Sequence, residues 1–338
     1  MRATLTLCIF SLFVSQLYAQ PGTNYPDIPR VDVHTHAGSD YDAIQKYLDL
    51  REVLLNDYSV DLAIWVNLSS KNRPVTCVDS VARISQHRMF CAFGDYEAAR
   101  GLRHKPEDLE RKRDEGFIGY KIWYGPFYRT LKEGEIGFPY VDDPANEAMF
   151  ARMEELGIMA ASMHIADPNG PFGNRTRWCA DPVEYWREIT GLYTVLNRHP
   201  DLKVVAAHGA WLVCQDAQID YLRFLLSTFP NFHVDLAATF QYFNMVSYGN
   251  LRDFMIEYAD RILFGTDMGL LETVEETQNR AEAYMRCFQI LECDEMVDGS
   301  FFGREPIRGL NLPREVLEKI YYKNALRLYP NLSDSKHL

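Results

Sequence analysis

The sequence predicts an α/β protein: one (β/α)8 TIM barrel behind an N-terminal signal segment. Eight short apolar, β-branched runs recur along the chain. They carry few charges, as parallel strands covered on both faces do. The stretches between them bear helix start and stop residues, and strand–helix alternation of this kind closes into a barrel. Acid and imidazole side chains close several of the runs, at the end where barrel enzymes keep their reactive groups. An open doubly wound sheet is the alternative, but no GxGxxG fingerprint follows the first strand.

In chain order the strands are expected at Val31–His36, Leu62–Val66, Met89–Phe93, Ile118–Trp123, Ile158–His164, Val204–His208, His233–Leu236 and Ile262–Thr266. Among the spacers, Asp143-Pro144 opens a helix that runs through Met149 and Met153 to Leu156 and stops at Gly157. Asp181-Pro182 opens another, through Tyr185, Trp186 and Ile189 towards Leu196. Pro313 starts a third, with Val316, Leu317, Ile320 and Tyr321 at helical spacing, and this helix is expected to seal the base of the barrel. The connections after the fourth and fifth strands, 124–142 and 165–180, are long and rich in Gly, Pro and aromatics. Loops in that position build a barrel's active face.

A chain of 338 residues that is 47% hydrophobic can bury a large core, and 24% charged residues argue against disorder. The net charge of −12 removes the basic footprint that nucleic-acid binding needs. Residues 1–19 read as an export signal: Arg2 supplies the positive start, Leu5 to Val14 the apolar stretch, and Leu17-Tyr18-Ala19 a cleavage site ahead of Gln20. The apolar run is too short to span a bilayer, so the mature chain is expected to be secreted or periplasmic, with no stable membrane span. An uncleaved anchor or a cytosolic chain with a misread start are the alternatives. No low-complexity linker interrupts residues 20–338, which are read as one domain. Cleavage would remove Cys8 and leave Cys77, Cys91, Cys179, Cys214, Cys287 and Cys293. An even number permits disulfides without fixing their pairing. Cys91 sits in an apolar run and is expected in the core, and no CxxC pair offers a thiolate zinc site. Nothing in the sequence decides whether the chain forms a homo-oligomer.

The most informative pattern is Val31-Asp32-Val33-His34-Thr35-His36. Residues i and i+2 of a strand point to one side, so both imidazoles would leave the strand end together and grip one ion. His164 closes the fifth run, His208 the sixth, and Asp267 follows the eighth. Imidazole nitrogen and carboxylate oxygen are good ligands for zinc and similar divalent ions. Three or four such groups with one open position let a water bind, and the ion brings the pKa of that water towards neutrality. A carboxylate beside it can take the proton, and an imidazole can steady developing charge. Each residue also has a plain structural reading: an exposed strand pair for His34 and His36, a satisfied core imidazole for His164, a polar strand end for His208 and a helix cap for Asp267. Five coincident strand-end placements outweigh those readings taken together. His87, His104, His199 and His233 fall elsewhere. His199 stands at a helix end, where a cation suits the dipole.

These residues resemble the amidohydrolase superfamily, and within it the amidohydrolase-related (amidohydrolase 2) branch that includes decarboxylases of the aminocarboxymuconate-semialdehyde type. Three stretches carry the branch likeness: residues 198–209 around His208, Arg261-Ile262-Leu263-Phe264-Gly265-Thr266-Asp267, and Ile320-Tyr321-Tyr322-Lys323-Asn324-Ala325 in the closing helix. The branch often has serine where Thr266 stands. The resemblance implies one divalent ion, zinc or manganese, held by His34, His36, His164 and Asp267. It implies that Asp267 also takes a proton from the ion-bound water, and that His208 polarises the substrate or assists proton transfer. Lys121, closing the fourth run, raises the two-metal alternative of the superfamily. There a carbamylated lysine bridges the ions, and His164 and His208 serve the second. The expectation is one ion, with Lys121 as an ammonium for an anionic substrate.

Arg175 and Arg177, beside Trp178 in the loop after the fifth strand, would clamp a carboxylate or stack on a ring, and Trp123, Tyr124, Phe127 and Tyr128 would line the pocket. Asn67-Leu68-Ser69, Asn174-Arg175-Thr176 and Asn331-Leu332-Ser333 match glycosylation sequons, relevant only in a eukaryotic secretory host. The function expected is an exported metal-dependent hydrolase that opens an amide, ester or lactone of a small polar, anionic molecule. Metal-dependent decarboxylation of a small unsaturated or aromatic acid is the runner-up. A barrel that binds ligand without turnover is the alternative of another class, but no ligand position is broken.

Overall fold

The computed structural model describes residues 22–70, 73–94, 102, 104–124, 140–167, 182–269, 273–299 and 305–338. The signal segment, Cys179, Phe127, Tyr128, Arg175, Arg177 and the Asn174 sequon lie outside the described residues. Eight parallel strands follow one another in chain order around a single sheet. They are β1 (Arg30–Thr35), β2 (Leu62–Leu68), β3 (Met89–Gly94), β4 (Tyr120–Tyr124), β5 (Ala160–Ile165), β6 (Val204–Ala206), β7 (Phe232–Asp235) and β8 (Ile262–Leu263). Between them run α1 (Tyr41–Tyr58), α2 (Val78–Ile84), α3 (Asp108–Asp114), α4 (Glu147–Leu156), α5 (Pro182–Arg198), α6 (Asp216–Thr228) and α7 (Tyr248–Glu257). After β8 come α8 (Val274–Glu292), a small hairpin of β9 (Met296–Val297) and β10 (Ile307–Arg308), and the closing helices α9 (Arg314–Glu318) and α10 (Asn324–Leu328). The ring closes where the segment after β8 meets β1: Val33 N–H donates to Phe264 O, Asp267 N–H to His34 O, and His36 N–H to Met268 O. This is the (β/α)8 barrel the alternating runs predict.

Local signals act as expected. The Asp143 side chain accepts from Ala145 N–H at the start of the turn before α4, and Gly157 ends α4 in a left-handed conformation. The closing segment seals the barrel base. Asn324 Nδ2 bonds the carbonyls of Ala259 and Ile262 at the start of β8. Ala325, Leu328, Tyr329 and Leu332 join Val31, Val33, Val66, Ala161 and Val205 in the inner apolar cluster, and Tyr329 donates to Ala161 O. Below them Arg30 and Glu292, both fully buried, pair at 2.8 Å, with the Tyr321 hydroxyl on the same carboxylate and the guanidinium over the Phe288 ring.

Several details depart from the expected elements. β8 ends at Leu263 rather than Thr266, because Phe264 N–H turns to Ile320 O and Thr266 N–H to the Asp32 carboxylate. β6 ends at Ala206 rather than His208, and the chain leaves it through a left-handed turn. The Asn67 sequon is closed to glycosylation: that side chain is buried in β2, accepting from Ala37 N–H and donating to Gly38 O. Cys77, Cys91, Cys214 and Cys293 are free thiols, and Cys91 is in the core as expected. No helix among the described residues is long and apolar enough to cross a membrane.

Candidate metal centre

β1 builds the first half of the site, and it needs an irregularity to do so. Opposite β2, Asp32 pairs with Trp65 and Thr35 with Asn67, so β1 spends one extra residue over that interval. Val31 and Val33 face the barrel interior, whereas the Asp32 carboxylate reaches outward to Tyr284 of α8. Strict alternation would send His34 outward after Asp32. The bulge resets the alternation, as an extra residue does, and turns His34 and His36 to the mouth of the barrel.

There the two rings meet Asp267. His34 Nε2 lies 3.3 Å and His36 Nε2 3.2 Å from Asp267 Oδ1. The far nitrogens decide what those contacts are. His34 Nδ1 donates to Asp235 Oδ2 at 2.9 Å, and His36 Nδ1 to the Leu68 carbonyl at 3.0 Å. Each acceptor holds the ring proton on Nδ1, so each Nε2 presents a lone pair. Two ring nitrogens and a carboxylate oxygen therefore converge, and a cation between them would satisfy all three. The donor set of two imidazoles and one carboxylate fits a divalent ion such as zinc. Asp267 keeps 31% of its side chain exposed, enough to face a substrate as well.

A second pair of imidazoles stands beside the first. His208 Nδ1 donates to Ala237 O at 2.8 Å, and His164 Nε2 faces Asp167 Oδ1 at 3.2 Å. The remaining nitrogens, His208 Nε2 and His164 Nδ1, approach to 3.1 Å. By the same reasoning these are two lone pairs face to face. Lys121 is buried among the histidines, its Nζ 2.9 Å from Ser162 Oγ and 3.3 Å from His34 Nε2. Trp123 stacks on His164 with ring centroids 4.4 Å apart, and Trp211 on His208 at 4.5 Å. Tyr124 is buried at the end of β4.

Charge follows this packing. Burial draws Lys121 down to about 8. It also lowers His36 and His164, and lowers His208 strongly, with His164 adding to the effect. Burial and Lys121 press His34 down, but Asp235 and Asp267 outweigh them and leave it raised. Asp267 is opposed by burial yet held well below the usual carboxylate range by His34 and His36. The lowered His36, His164 and His208 and the ionised Asp267 are in the forms that bind metal.

The structure thus brings His34, His36, Asp267, Lys121, His164, His208 and Trp123 into one cluster. His164 lies on its His208 side, not in the group around Asp267 Oδ1. Three carboxylates escaped the sequence reading: Asp235, which orients His34 and accepts from His208 N–H; Asp167, which backs His164; and Asp32. An aspartate inside an apolar strand run, as in Val31-Asp32-Val33 and Val234-Asp235-Leu236, is the signal that would have found two of them. His199 follows the end of α5, as expected, and is buried against Glu154 and Glu147 on α4.

The sequence profile of the Amidohydrolase family (Amidohydro_2) matches residues 104–330, most of the barrel. The chain belongs to the amidohydrolase family. As an amidohydrolase it is a metal-dependent enzyme, either hydrolase or decarboxylase. No curated protein matches the amidohydrolase by sequence. Among solved structures, an uncharacterised TIM-barrel protein of Bordetella bronchiseptica is similar to it with a TM-score of 0.54 at 16% identity, over 89% of this chain and 98% of that one. A dihydroorotase of Saccharomyces cerevisiae, solved with 5-fluoroorotic acid, is similar with a TM-score of 0.50 at 11% identity, over 88% of this chain and 83% of that one. At such identities these likenesses speak for the barrel fold.

Proposed function

We propose that this amidohydrolase is an exported hydrolase that opens an amide, ester or lactone in a small anionic molecule. The convergence of His34 Nε2, His36 Nε2 and Asp267 Oδ1, with both ring protons fixed on Nδ1, carries the reading. Those three groups would hold the ion. When bound, a divalent ion supplies Lewis acidity: it acidifies a water and polarises a carbonyl. Asp267, ionised and partly open, is the group to take the proton of an attacking water. His208, kept neutral by burial, is suited to hydrogen-bond the substrate or pass on a proton. Lys121 carries a positive charge at neutral pH and would draw in a substrate carboxylate. Trp123 supplies an apolar wall beside His164. Arg175 and Arg177 are proposed to clamp a carboxylate of the substrate.

A second reading places two ions here, with Lys121 as a carbamylated bridge. The facing lone pairs of His164 Nδ1 and His208 Nε2 favour it, since a cation would join them. Elemental analysis of the purified full chain separates the readings: one equivalent of zinc or manganese is expected, and two with a carbamate on Lys121 would replace it. Reaction type is tested by assaying lactone and amide opening against carbon dioxide release, with His34→Ala as the inactive control. Carbon dioxide as the product would transfer the assignment to decarboxylation. Wild-type protein that takes up no divalent ion would end both.

A further inference from the structure

We propose that Tyr284 of α8, acting through Asp32, is a positioning residue that sets the Asp267 carboxylate against His34 and His36. The inference rests on the metal-centre reading and assigns a part in it to a side chain outside the mouth of the barrel.

Asp267 stands in a left-handed conformation, φ 66°, uncommon outside glycine. Among the described residues its carboxylate pairs with His34 and His36, and neither contact holds the backbone there. The flanking residues do. Asp32 Oδ1 accepts from His34 N–H at 3.0 Å and Thr266 N–H at 3.2 Å. Asp32 Oδ2 accepts from the hydroxyls of Thr266 and Tyr284, both at 2.5 Å. Four donors thus occupy the two oxygens of this buried carboxylate. Thr266 Oγ1 in turn accepts from Met268 N–H at 3.2 Å, closing a turn around Asp267. Tyr47 of α1 holds the far side, donating to the carbonyls of Met268 and Gly269.

Asp32 thus ties one metal ligand's backbone, His34, to the residue before another, Asp267. Tyr284 fixes Asp32 from the helix layer, with its ring packed beside Phe264 and Phe288. Groups that orient ligands from behind are worth about 10–100-fold in metal affinity.

The test is calorimetric titration of zinc into the metal-stripped full chain, with thermal unfolding of the metal-free protein alongside. Tyr284→Phe removes the hydroxyl and keeps the ring. Thr266→Val removes the other hydroxyl on Asp32 Oδ2, and Thr266→Ser restores it. The expected result is a 10–100-fold loss of zinc affinity in Tyr284→Phe and Thr266→Val, recovery in Thr266→Ser, and metal-free unfolding close to wild type. A role confined to packing would instead lower the unfolding temperature with zinc affinity unchanged, and that outcome overturns the proposal. If Tyr284→Phe does not fold, the Thr266→Val and Thr266→Ser pair decides it. Wild-type protein that binds no zinc overturns the metal-centre reading itself, and this proposal with it.

Discussion

His34 and His36 owe their usefulness to the atoms behind them. Asp235 and the Leu68 carbonyl accept the Nδ1 protons and so aim two lone pairs at Asp267. Asp235 makes this testable, because its other oxygen is already committed to the N–H groups of His208 and Ala237. In Asp235→Asn, the amide oxygen stays on those two donors and the NH2 group faces His34 Nδ1. Two donors cannot share that contact, so His34 moves its proton to Nε2 and ceases to be a ligand. The expected outcome is at least a 10–100-fold loss of zinc affinity, read by titration, with the barrel still folded by circular dichroism. The two histidines were legible in the sequence because they stand two apart at one strand end. Asp235 was not, since it lies 201 residues from the ring it orients.

At the scale of elements, the site depends on strands that are irregular where they end. The bulge in β1 reverses the alternation after Asp32. Beyond β6, His208, Gly209 and Ala210 have φ of 60°, 58° and 51°, and Trp211 follows at 57°. A left-handed run costs roughly 1–2 kcal/mol per non-glycine residue. The run delivers His208 against His164 with Trp211 stacked on its face, so the local cost is offset by packing and placement. β8 and β1 also approach closely at Gly265, where a Cβ would lie 3.0 Å from His34 Cβ and 3.4 Å from Ala237 Cβ. Gly265→Ala is therefore expected to destabilise the fold by about 1–3 kcal/mol and to displace His34. Urea unfolding and zinc titration on the same variant measure both effects. Strand positions were readable from apolar runs, because burial on both faces dictates composition. Strand ends were not, because they depend on which distant group takes each N–H: Asp32 for Thr266, Ile320 for Phe264.

Over the whole molecule, the active mouth and the sealed base are opposite ends of one ring. At the base the buried Arg30–Glu292 pair joins the start of β1 to the end of α8, with the Tyr321 hydroxyl on the carboxylate and the carbonyls of Ile28 and Tyr25 on the guanidinium. Removing one partner strands the other charge in the interior. Glu292→Ala is expected to cost about 3–5 kcal/mol in urea unfolding. The closing helix was legible as a cap for the barrel from its Pro313 start and apolar spacing. The buried ion pair at the base was not, since Arg30 and Glu292 are 262 residues apart.

What the sequence by itself determined about this amidohydrolase is the barrel and the side chains that reach its mouth. Composition and period within a run are local properties, and the candidate ligands stand at or just past the ends of their own runs. Only the tertiary structure decided which nitrogen of each histidine is free to bind, which way β1 turns its side chains, and which carboxylates stand behind the ligands. Those are properties of pairs of groups far apart in the chain. Their physical origin is the need of every buried donor and acceptor for a partner that folding alone can supply.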